Sequence, residues 1–144
     1  MRKRFYLYFI LLIALDQLTK FLMIDKQLTI IPNFLDFIFT KNFAGGLGIG
    51  QLSPIIILSI IVIVGIFYLI PKVKGKMRNI LPFILILAGS FSNLFDRLFR
   101  GYVIDFIKFH IFDFPCFNIA DICIVVGVIL FGVFLFLGKK QESL

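Results

Sequence analysis

The chain has 144 residues, is 60% hydrophobic, and carries 15 Lys and Arg against 8 Asp and Glu, a net charge of +7. Soluble domains are about 45–50% apolar, so a mean hydropathy of +1.05 excludes both a disordered chain and an ordinary soluble domain. Most of the basic residues flank apolar runs, which marks them as membrane topology signals and excludes a nucleic-acid partner. The length fits one integral membrane domain, residues 1–144, with four spans of roughly 20 apolar residues and short loops.

The first apolar run, residues 5–24, follows Arg2, Lys3 and Arg4. It resembles a secretory leader in position. But Asp16 and Lys20 interrupt it and no small-x-small cleavage site follows, so it reads as a retained span. Further runs cover 54–70, 80–98 and 119–137. Lys72, Lys74, Lys76 and Arg78 fill the connection between the second and third, and Lys139 and Lys140 follow the fourth. The excess of positive charge puts these places, and both termini, in the cytoplasm. The external connections, 25–53 and 99–118, mix acid and base. Within them, 34–43 and 106–112 read as short strands. In the second, Lys108 and His110 fall on one side and Ile107, Phe109 and Ile111 on the other. The expected fold is an all-α membrane protein: a four-transmembrane-helix bundle with a little external β-structure.

Ionisable residues inside a span cost about 2.5–3.5 kcal/mol each on insertion scales. They need partners or a task. Asp16 and Lys20 lie four apart on one face of span one. Either an internal ion pair or a brace for a polar site explains them. Asn93 and Arg97 are also four apart near the outer end of span three, with Gly89 one turn earlier. Gly89 and Ser90 permit close approach of a neighbouring helix. Asp96 and Arg97 also fit plain interface anchors. Asn118 and Asp121 open span four, where an N-cap and a dipole-favoured acid are expected in any helix. Asp105 stands alone in an apolar stretch, and a turn or strand-edge residue facing water would account for it.

Topology brings these residues together. Asp105 follows span three outside, and Asp121 begins span four outside, so the 99–118 connection can fold back and bring both carboxylates to one depth. Two close carboxylates in a poorly solvated site do not both ionise readily. Such a pair suits water activation by one member and carbonyl protonation by the other. The helix N-terminus favours Asp121 as base and leaves Asp105 as acid, although a coupled pair titrates together. The Gly-rich run at 44–50 lacks the strand–turn–helix setting of a nucleotide site. It fits a close-packed loop, or one that lets a substrate backbone approach. Cys116 and Cys123 match no zinc spacing, and one His adds little metal capacity, so no metal is expected.

Five blocks, in this order, resemble those of the lipoprotein signal peptidases (signal peptidase II). They are AspGlnLeuThrLys at 16–20, AsnPheAlaGlyGly at 42–46, AsnLeuPheAspArg at 93–97, ValIleAspPheIle at 103–107 and PheAsnIleAlaAsp at 117–121. The resemblance covers nearly the whole chain. It implies an aspartic endopeptidase of the bacterial inner membrane with its site facing outward. Its substrates are implied to be diacylglyceryl-modified prolipoproteins, cut just before the lipidated cysteine. Asp105 and Asp121 match the catalytic dyad. Asp16, Lys20, Asn42, Gly45, Asn93, Arg97 and Asn118 match residues that line or support the site. The resemblance further implies an external β-cradle, no cofactor, contact with membrane lipid, and inhibition by globomycin-type antibiotics. Two departures stand out. The family usually reads Asn-x-Gly-Ala-Ala-Phe where this chain has Ala44, Gly45, Gly46 and Leu47, and usually glycine where it has Ser92. A competing reading, a small proton-coupled transporter using Asp16, explains span one but not the clustering of Asn93, Arg97, Asp105, Asn118 and Asp121.

Overall fold

The structure, a computed structural model, describes residues 2–43, 54–70, 77–111 and 114–142. Its elements in chain order are α1 (Arg2–Met23), β1 (Gln27–Ile31), β2 (Leu35–Asn42), α2 (Pro54–Leu69), α3 (Met77–Phe99), β3 (Val103–Phe109) and α4 (Ile119–Glu142). Three helices contain apolar stretches long enough to cross a membrane: Lys3–Met23, Ile80–Phe99 and Ile119–Phe136. The second expected span is an apolar helix of 16 residues. At 1.5 Å per residue it measures about 24 Å, short of the ~30 Å hydrocarbon layer.

Helix α3 is the hub. Of its apolar stretch 67% is buried, against 11% for α1 and 17% for α4. Its Phe83 and Leu87 pack with Ile66 of α2, and Phe5, Phe9 and Phe131 close around them. The outer faces of α1 and α4 remain apolar and exposed, as at Ile10, Phe21, Val125 and Ile129. A soluble helix would be polar there, and a lipid-facing one is not. Gly89 lets α3 and α4 nearly touch: a methyl at its Cα would collide with the Ala120 carbonyl and the Ile124 side chain.

The helix bundle carries a three-stranded antiparallel sheet, order β1-β2-β3. The sheet sits where α1 ends, α3 ends and α4 begins. Two of the strands were expected, with changes. β2 lies within 34–43, but β3 begins at Val103 rather than at 106 and ends at Phe109. Asp105 is therefore a strand residue, and it is 1% exposed rather than facing water. β1 was not expected. Its residues are all exposed, so no inward face imposes a clear alternation on its sequence. Asp25 and Asn33 take left-handed backbone conformations before and after it, which short polar side chains tolerate. Gly101 does the same between α3 and β3. The extra residue in β2 between Phe37 and Thr40 is a bulge; β3 alternates regularly through it.

Lys108 and His110 share a side, as the alternation predicts, but part company in their contacts. Lys108 Nζ donates to the Phe114 carbonyl at 2.8 Å, and His110 Nε2 lies 2.8 Å from Asp36 Oδ2. The latter pair ties β2 to the end of β3.

Candidate active site

Five elements supply the polar cluster at the rim of the bundle: the last turns of α1 and α3, the end of β2, the first part of β3 and the first turn of α4. Asn118 is the N-cap of α4. Its Oδ1 accepts the Asp121 N–H at 3.0 Å, and Asp121 Oδ2 accepts the Asn118 N–H at 3.1 Å. This is a reciprocal capping box with Asp in the acidic position. It holds the Asp121 carboxylate against the helix start, where the dipole also favours negative charge.

The same box orients Asn118 toward Asp105. Because Oδ1 faces an N–H, Nδ2 must face the other way. It donates to Asp105 Oδ1 at 2.6 Å, to the Ile104 carbonyl at 3.3 Å and to Asn93 Oδ1 at 3.2 Å. Asn93 is oriented in turn by Lys20, whose Nζ can only donate and reaches Asn93 Oδ1 at 2.9 Å. That fixes Asn93 Nδ2 on Asp121 Oδ1 at 2.8 Å. A continuous amide chain, Asn118 to Asn93, thus joins the two carboxylates. Asn42 closes the other side, donating from Nδ2 to Asp105 Oδ2 at 2.7 Å. Burial pushes the Asp105 carboxyl up to about 6; the Asp121 charge adds to the rise, while the Asn42 and Asn118 amides and Lys20 oppose it. Asp121 is the more open of the pair, half-buried where Asp105 is buried.

Beneath this layer lies a buried ionic network. Lys20, fully buried, reaches Asp16 Oδ2 at 2.6 Å and Asp96 Oδ2 at 2.8 Å. With Asn93, these partners use its three donors. Asp16 accepts the Ser92 hydroxyl at 2.7 Å through Oδ2 and the Ala120 N–H at 2.8 Å through Oδ1. It therefore caps α4 from another helix. Gln17 Nε2 donates to Ser92 Oγ and Asp96 Oδ1, and Arg100 reaches both Asp96 and Gln17. Buried charges survive only when paired and hydrogen-bonded in this way.

Of the nine residues singled out from the sequence, Asp16, Lys20, Asn42, Asn93, Asp105, Asn118 and Asp121 meet in one hydrogen-bonded assembly. Arg97 stands at its edge. It is half-buried, and its Nη1 donates to the Asn93 carbonyl at 3.2 Å. Gly45, with the run at 44–50, lies outside the described residues. Asp96, Ser92, Gln17 and Arg100 were missed as partners. Asp96 fitted an interface anchor, yet it is fully buried. Its spacing to Arg100 is the i,i+4 signal that was available. Among the described residues no group of three or more His, Cys, Asp or Glu is arranged to hold a metal ion.

Fold and site define a multi-pass membrane protein built around two carboxylates in one amide network. The model of the family described as signal peptidase (SPase) II matches residues 8–137. The lipoprotein signal peptidase of Clostridium acetobutylicum is 33% identical, the match covering 91% of this chain and 92% of that protein. That of Streptococcus agalactiae is 34% identical over 93% of this chain and 90% of the relative. A bacterial membrane enzyme solved by the in meso method at 2.3 Å resolution superposes with TM-score 0.77 and 29% identity over 98% of this chain and 91% of its own. The chain belongs to the signal peptidase II family, and it is an aspartic peptidase of bacterial membranes.

Proposed function

We propose that the chain removes signal peptides from diacylglyceryl-modified prolipoproteins, with Asp105 and Asp121 as the catalytic dyad. The observation that carries this is the Asn118–Asn93 amide chain, which holds two carboxylates from different elements in one site. Asp121, more open and set in the capping box, takes a proton from water as the water oxygen bonds to the scissile carbonyl carbon. Asp105 gives its proton to the carbonyl oxygen. Collapse of the resulting gem-diol breaks the C–N bond. The amine then takes the Asp121 proton and Asp105 recovers its own.

The site belongs at the outer face of the inner membrane, with both termini cytoplasmic and α2 as a short fourth span. Leaving acyl chains in the bilayer spares about 0.8 kcal/mol per CH2 that extraction would cost. The polar backbone of the site is tolerable there because protein covers it. Globomycin-type inhibitors are expected to bind the same site. The transporter reading is disfavoured by Asp16 itself: both its oxygens are taken up in bonds to Lys20, Ser92 and Ala120.

A cleavage assay in detergent with one precursor in two forms, diacylglyceryl-modified and unmodified, tests the substrate class. Conversion of the modified form alone is the expected result. Equal conversion of both removes the lipid from the recognition element.

A further inference from the structure

β3 links the dyad to a second feature. Its regular alternation places Asp105, Ile107 and Phe109 on one face, with Phe37 and Leu35 opposite Ile107 and Phe109 on β2. At the far end of that face lies an open cleft of about 360 Å3, lined by Phe34, Phe109, Ile111, Phe114 and Phe117. The rings form a chain of contacts: Phe34–Phe109 at 5.5 Å, Phe109–Phe117 at 5.8 Å and Phe114–Phe117 at 5.7 Å between centroids. Among the described residues, only Phe and Ile side chains line it. Phe34, Ile111 and Phe114 are 39%, 41% and 51% exposed, so an occupant would bury them. β3 changes from buried at Val103–Phe106 to half-buried at Ile107–Phe109 as it leaves the helices.

An apolar signal segment suits the exposed apolar faces of the helices, and β3 is the element that runs from Asp105 away from them toward the cleft. We propose that the aromatic cleft is a subsite for an apolar side chain of the mature segment, about four residues beyond the scissile bond, since Phe109 lies four residues along β3 from Asp105 and an extended chain advances about 3.3 Å per residue. This deepens the proposed function and rests on it. The fold thereby gains a specificity element remote from the lipid.

The probes are two diacylglyceryl-modified prolipoprotein peptides that differ only at the fourth residue after the cut, Phe or Ser. They are assayed in micelles and in phospholipid vesicles. Wild type is expected to favour Phe about tenfold in kcat/KM. In Ile111→Asp and Phe114→Ser that ratio falls to about one. A wild-type ratio near one, or a ratio that persists in both variants, overturns the subsite while leaving the peptidase reading standing. Variants that slow both peptides equally, and only in vesicles, show that the cleft touches lipid and overturn it as well. Failure of wild type to cut either peptide contradicts the proposed function itself, and the subsite falls with it.

Discussion

Asp16 on α1 caps α4 across the bundle: its Oδ1 accepts the Ala120 N–H at 2.8 Å. The residue next to Ala120 is Asp121. The carboxylate four residues before Lys20 therefore positions the first turn that carries Asp121, one of the two carboxylates proposed as the dyad. Asp16→Ala removes this cap and leaves Lys20 with one carboxylate fewer. Losing one partner of a buried pair costs about 3–5 kcal/mol. Thermal unfolding in detergent is expected to show a large drop in Tm, with activity falling alongside. An unchanged Tm contradicts the role.

The Ser92 hydroxyl donates to Asp16 Oδ2 at 2.7 Å. Ser92→Gly is expected to lower stability by about 2–3.5 kcal/mol, the worth of a hydrogen bond to a charged acceptor plus the flexibility of glycine in a helix. Ser92→Ala separates the two contributions, and comparison of the three melting curves gives the hydrogen-bond part.

The close approach at Gly89 sets α3 against the first turn of α4, which carries Asp121. Gly89→Ala drives a methyl into the Ala120 carbonyl and Ile124. Overpacking costs about 1–3 kcal/mol, and here the displaced element is the first turn of α4. Gly127→Ala meets Ile86 and the Pro82 carbonyl instead, farther from the site. Both variants are expected to lose stability, but Gly89→Ala alone loses kcat disproportionately. Equal losses of kcat would contradict the positional effect.

Asp105 gives a pH dependence with a definite sign. Its carboxyl is raised to about 6 in the fold, above the ordinary value near 4. Its contribution to stability is therefore complete below pH about 4 and is lost as the pH rises through about 6. Asp105→Asn cannot titrate. The stability of wild type relative to Asp105→Asn should thus decline between pH 4 and pH 7, as read from paired thermal melts. A rising difference would reverse the sign and contradict the burial argument.

The helices were legible because their apolar runs are long and punctuated by Lys and Arg. The convergence of Asp105 and Asp121 was legible from topology, since they lie next to the adjoining ends of α3 and α4. The i,i+4 pair Asp16–Lys20 could be read along one helix. Its third member, Asp96, comes from α3 and depends on helix rotation, which no local pattern encodes. β1 was illegible for a different reason. With no buried face, Gln27–Ile31 lacks the constraint that shapes a strand sequence, and only the left-handed Asp25 and Asn33 mark its flanks. The start of β3 was misplaced because Val103–Phe106 is buried on both faces and does not alternate in polarity.

The central claim is that both carboxylates are needed for hydrolysis. The direct measurement is turnover of a diacylglyceryl-modified prolipoprotein by purified wild type, Asp105→Asn and Asp121→Asn, each first shown to be folded by its melting curve. Release of the signal peptide by wild type, with a loss of at least about a thousandfold in both variants, is the predicted result; general acid and base contributions of about 10²–10⁴-fold each set that scale. Wild-type turnover in either folded variant would contradict the dyad.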